Sequence, residues 1–85
     1  MPLYMVERTF AEQLEVTGEL VKEATAIYDD EGIRWLSTFL TADKKRSYCI
    51  YEAPSAEAAV AAAERAGIPI EAIVPVDQIT PQDFA

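Results

Sequence analysis

The residues in this chain that could do chemistry together are Met5, Glu7, Trp35, Ser37, Phe39, Cys49 and Tyr51. A carboxylate, a hydroxyl, a thiol and a phenol among large apolar groups suit the wall of a ligand cavity, where a few polar atoms orient a mostly apolar molecule. A shielded Glu7 would act as ligand, hydrogen-bond acceptor or general base, with Tyr51 or Ser37 as donor. Each residue also has a plainer role. Glu7 is equally suited to an ion pair with an arginine at a strand end. Cys49, placed mid-strand, reads first as a small buried hydrophobe. A catalytic thiolate wants a histidine or another basic neighbour, and the chain has no histidine. Trp35 and Tyr51 also read as core or interface aromatics.

Other clusters carry less. Asp29-Asp30-Glu31 lacks the spaced ligands and glycine of a calcium loop and reads as a solvated helix end. Lys44-Lys45-Arg46 reads as a hairpin tip that steers an acidic ligand or meets residues 29–31 of a neighbour. There is no glycine-rich phosphate loop, no Ser-His-Asp set and no Cys-x-x-Cys pair.

The elements that must position these residues follow from periodicity. Leu3 to Arg8 reads as a strand, and Phe10 to Val16 as a helical turn (Phe10 with Leu14) or a packed loop. After Thr17, a good N-cap, Leu20, Val21, Ala24, Ile27 and Tyr28 form a helical stripe that Gly32 ends. Ile33 to Thr41 and Ser47 to Glu52 read as the strands of a hairpin around the polar loop Ala42 to Arg46. Pro54 stops the sheet and Ser55 caps a second helix with Ala59, Val60, Ala63 and Ala66 buried. Gly67 and Pro69 end it. Ala72 to Ile79 reads as a last strand, at an edge or bulged because of Pro75, and Thr80 to Ala85 as a loosely held tail of a single domain, 1–85.

This order is βαββαβ, the ferredoxin-like arrangement: a four-stranded antiparallel sheet with two helices on one face. Alternation counted along the chain gives an even set, Tyr4, Val6, Leu36, Thr38, Leu40, Tyr48 and Ile50, to the helices. The odd set, Leu3, Met5, Glu7, Ile33, Trp35, Ser37, Phe39, Cys49 and Tyr51, then forms the open face. A face that apolar predicts a partner, most simply a second copy paired sheet to sheet as a dimeric α/β barrel around a cavity. Eighty-five residues make a thin core, which pairing would extend.

Composition narrows the partners. A net charge of −8 argues against nucleic acid and anionic membrane. No apolar run approaches the roughly 20 residues of a membrane span. The start lacks a secretory signal, and a single cysteine suits a reducing compartment, so the expected location is cytoplasmic.

The segments Tyr4-Met5-Val6-Glu7-Arg8, Trp35 to Lys44, Cys49-Ile50-Tyr51-Glu52-Ala53-Pro54 and Ala66-Gly67-Ile68-Pro69 resemble, in order and spacing, a small bacterial family of ferredoxin-like proteins. The family was formerly classed as a domain of unknown function, and its named member is a nickel-binding protein. Cys-x-Tyr-Glu-Ala-Pro is the most specific element. The resemblance implies a dimer of ferredoxin-like subunits that binds a divalent metal, nickel first. Two departures accompany it: the family's second-strand histidine is Ser37 here, and its second-helix histidine falls at about Ala62. Nickel(II) favours imidazole nitrogen, which leaves Glu7, Cys49, Tyr51 and carboxylates as the donors.

Three functions follow from these residues. The first is a homodimeric binding protein holding a small molecule or metal between the sheets. The second is a cofactor-independent enzyme with Glu7 as general base in the same cavity. The third is a structural or regulatory dimer with a dry interface. The binding protein fits the residues best, and an enzyme less well.

Overall fold

The computed structural model describes residues 1–13, 15–68 and 70–84. Leu14, Pro69 and Ala85 lie outside them, and with them the Phe10–Leu14 pairing, the Pro69 stop and the tail's last residue. The elements are β1 (Leu3–Thr9), α1 (Gly18–Asp30), β2 (Arg34–Leu40), β3 (Arg46–Glu52), α2 (Ala56–Ala66) and β4 (Ala72–Val76). The strands form one antiparallel sheet in the order β2-β3-β1-β4. This is the ferredoxin-like fold.

Local chemistry sets the helix ends. Leu20 N–H donates to Thr17 Oγ1 at 3.1 Å, and Ala58 N–H to Ser55 Oγ at 3.1 Å, each supplying an acceptor for an orphan donor of the first turn. Gly32 and Gly67 stand at φ +73° and +71°, where a Cβ would be strained. That turn lets Ile33 N–H reach Tyr28 O at 2.8 Å and Ile68 N–H reach Ala63 O at 3.0 Å. The acidic end of α1 has a partner that the sequence reading did not foresee. Arg65 on α2 pairs with both Asp30 and Glu31, the latter at 2.9 Å.

Of the two alternatives for Phe10 to Val16, the described residues take the loop and hold no helix, and Phe10 N–H bonds Lys45 O at 2.7 Å, which prolongs the β1–β3 pairing. Two boundaries differ from expectation. β4 ends at Val76 because its partner begins at Leu3, directly opposite. Pro81–Phe84 forms a 3₁₀ turn, with Thr80 N–H held by Asp83 Oδ2 at 2.8 Å.

The face assignment needs the largest correction. In the β1–β3 register Tyr4 faces Tyr51, Val6 faces Cys49 and Arg8 faces Ser47, so even residues of β1 share a side with odd residues of β3. That side carries the core: Val6, Cys49 and Tyr51 pack with Tyr28, Ala24, Ala59 and Ala62 under the helices. In β2, Trp35 pairs with Tyr51 but Ser37 pairs with Ile50, which makes Leu36 the extra residue of a β-bulge. The bulge changes the phase mid-strand. Trp35 joins the helix side, while Ser37 and Phe39 fall on the open side with Tyr48 and Ile50. Parity counted along the chain cannot see an odd register or a bulge. Hence Trp35, Cys49 and Tyr51 leave the expected open face, and Tyr48 and Ile50 enter it.

Candidate functional site

Between α1 and the sheet lies a pocket of about 640 Å³, within the usual range for small-molecule sites. Its apolar wall comes from Leu20, Val21 and Ala24 on α1, with Phe10, Leu36 and Ile68 around them. The α1 stripe does two jobs. Ala24 and Tyr28 are buried against the sheet, while Leu20 and Val21 are half-buried and face the pocket.

A connected polar cluster borders the pocket on the sheet side. Arg8, 3% exposed, donates from Nη1 to Tyr51 Oη at 3.2 Å and to Cys49 Sγ at 3.3 Å, and from Nη2 to Tyr28 Oη at 3.2 Å. Tyr51 Oη donates to Tyr28 Oη at 3.3 Å. Trp35 Nε1 donates to Thr38 Oγ1 at 2.8 Å, and Thr38 Oγ1 donates to Cys49 Sγ at 3.1 Å. The Trp35 bond spans the bulge and fixes the indole against Tyr28 and Tyr51, each 6.3 Å away between ring centroids.

Electrostatics follow from burial. Desolvation works against the Arg8 charge, but the pull of Tyr51, Tyr28 and Cys49 outweighs it, so the net shift is upward and Arg8 stays a cation. Burial, opposed by the Arg8 charge, pushes the Tyr51 hydroxyl well above its ordinary value. Tyr51 therefore remains a neutral donor across the physiological range.

Of the expected site residues, the structure brings Trp35, Cys49 and Tyr51 together at this pocket, and Ser37 touches its rim where its backbone oxygen accepts from Trp35 Nε1 at 3.3 Å. Met5, Glu7 and Phe39 lie on the other side of the sheet. Glu7 pairs there with Arg46, Oε1 to Nε at 3.5 Å, and the sheet separates it from Tyr51. Arg8, Tyr28 and Thr38 were missed. Tyr4-x-Val6-x-Arg8 carried the signal for the first of them: a cation in phase with core residues of the same strand.

A model of the family described as "Nickel responsive protein SCO4226-like" matches residues 4–76. The chain belongs to this family. Its fold is also that of a solved relative, the crystal structure of SCO4226 from Streptomyces coelicolor A3(2). That protein is similar with a TM-score of 0.71 and 23% identity, over 92% of this chain and 99% of that one. No curated protein matches.

The SCO4226-like family description raises nickel, and the residues of this chain do not fit it. Among the described residues no three of His, Cys, Asp and Glu converge. The one thiol, Cys49, receives a guanidinium hydrogen bond, which sets a fixed positive charge where a divalent cation would have to bind. Ser37, at one family histidine position, is exposed on the open face, and Ala62, near the other, is fully buried on the inner side of α2. No helix is long and apolar enough to cross a membrane among the described residues.

Proposed function

We propose that this SCO4226-like protein is a small binding module that holds a compact, largely apolar molecule beneath α1 and pairs with a second copy through its open sheet face. The pocket carries this reading: apolar walls around a hydrogen-bonded cluster, in a chain with so little core to spare. A dry structural module would close such a space, since an unfilled cavity forfeits packing contacts. The ligand seat is therefore under the helix, and the expected space between two sheets becomes the contact between copies. An enzymatic role built on Glu7 finds no support in the ion pair with Arg46 or in the sheet that divides it from Tyr51.

Pairing rests on the other face. Phe39 is 65% exposed and Val74 47%, and Met5, Tyr48 and Ile50 lie half-buried on the same side. Apolar groups spread over one sheet face mark a contact surface. Native mass spectrometry of untagged protein tests both parts. The expected spectrum shows a dimer that carries a small organic molecule or takes one up. The Phe39→Glu variant should appear as a monomer, because each of two facing copies would bury a carboxylate. A wild-type monomer at micromolar concentration would remove the pairing, and a chain that neither retains nor takes up any small molecule would remove the binding role.

A further inference from the structure

We propose that the ligand is an amphiphile with a single carboxylate, its charge set against Arg8 and its apolar body along the α1 wall of the pocket. The inference rests on the pocket being a binding site, and it begins from a comparison among arginines. Arg34, Arg46 and Arg65 each reach a carboxylate, at Glu52, Glu7 and the Asp30–Glu31 pair. All three stand at the surface. Arg8 is the one buried charged side chain among the described residues, and no described carboxylate lies within ion-pair distance of it. Its hydrogen-bond partners are two phenol oxygens and a sulfur.

Buried charges in folded proteins are ordinarily matched by an opposite charge. Arg8 also keeps donors in reserve. A guanidinium has five N–H groups, and Arg8 Nε is buried with no partner among the described residues. The missing partner is an acceptor with a negative charge, and Arg8 borders the pocket that would admit one.

Charge and shape choose the class. One guanidinium offsets one negative charge. A dianionic phosphate would leave a second charge unmatched among Leu20, Val21 and Phe10, in a chain already at −8. A carboxylate matches the fork of a guanidinium in geometry and charge. The phenols of Tyr28 and Tyr51 stand beside Arg8. The remaining wall is apolar and calls for a hydrocarbon or aromatic body rather than a sugar.

Trp35 is the only tryptophan and borders the pocket, so its emission reports occupancy. The experiment titrates the full, untagged chain at neutral pH with decanoate and decyl phosphate below their micelle concentrations and 1-decanol below its solubility limit. Decanoate should bind about tenfold or more tighter than 1-decanol, the scale expected of a hydrogen-bonded charge, and tighter than decyl phosphate. In Arg8→Met the preference for decanoate over 1-decanol should vanish while 1-decanol still binds. Equal affinity for decanoate and decanol would overturn the role of Arg8 and leave the pocket reading standing. Tightest binding of decyl phosphate would overturn the carboxylate. Binding of none of the three would overturn the pocket reading itself. The ranking on the unaltered chain decides even if the variant does not fold.

Discussion

Arg8→Met should leave the ligand-free protein at least as stable as the wild type, and more stable by up to about 1–4 kcal/mol, the range seen when buried ionic groups are replaced by apolar ones of similar volume. A buried cation inside a small domain ordinarily invites the opposite expectation. The hydrogen-bond network sets the sign. Arg8 is 3% exposed and spends its bonds on Tyr51, Tyr28 and Cys49 without meeting an opposite charge. Methionine keeps the length of the stem and removes the ion. Tyr51 and Tyr28 still hold each other at 3.3 Å. Urea unfolding checks it: the midpoint should stay or rise with an unchanged slope. Arg8→Ala provides the control and should destabilise, since it empties the volume of the stem. A methionine variant several kcal/mol weaker than wild type would mean that the protein already neutralises the charge.

Deleting Ile50 should cost about 3–5 kcal/mol, the loss typical of a large aromatic leaving its packed site, whereas deleting Leu36 should cost far less. Ile50 stands in β3 between Cys49 and Tyr51, which share the helix side. Without it those two become neighbours in an alternating strand, and one of them must turn to the open face, because a one-residue slip exchanges the faces of a strand. Leu36 is the unpaired residue between the Trp35–Tyr51 and Ser37–Ile50 partners, so its loss leaves both pairs in register and removes only the bulge. Urea midpoints report both energies. A Leu36 deletion as damaging as the Ile50 deletion would show that the bulge itself holds Trp35 in place.

The sequence was legible where the physics is local. Thr17, Ser55, Gly32 and Gly67 act on their own turns, and the helices begin and end as those residues dictate. Element order then implies the ferredoxin-like sheet. What stayed hidden depends on partners far along the chain. The bonding of Arg65 with Asp30 and Glu31 spans more than thirty positions. The pairing of even residues in β1 with odd residues in β3 is a property of two strands, not of either one. A bulge that reverses β2 halfway is set by how Trp35 seats against Tyr28 and Tyr51, which no count along one strand contains. The expected cavity residues depended on this most. Trp35, Cys49 and Tyr51 stand together but on the helix side of the sheet, and the cation among them, Arg8, lies in a phase that pointed inward.

Pro75 has a consequence for how copies of this protein can associate. It lies in β4, the strand at one border of the sheet, opposite Tyr4. Its ring nitrogen carries no hydrogen, so an incoming strand laid along that border would find the row of donors interrupted. At the other border, β2 is bent by the Leu36 bulge and begins with Arg34, features that discourage strand addition. Growth by strand addition, edge on edge, is thus discouraged at both borders. The same residues that shape the two outer strands set this sheet against lengthening sideways.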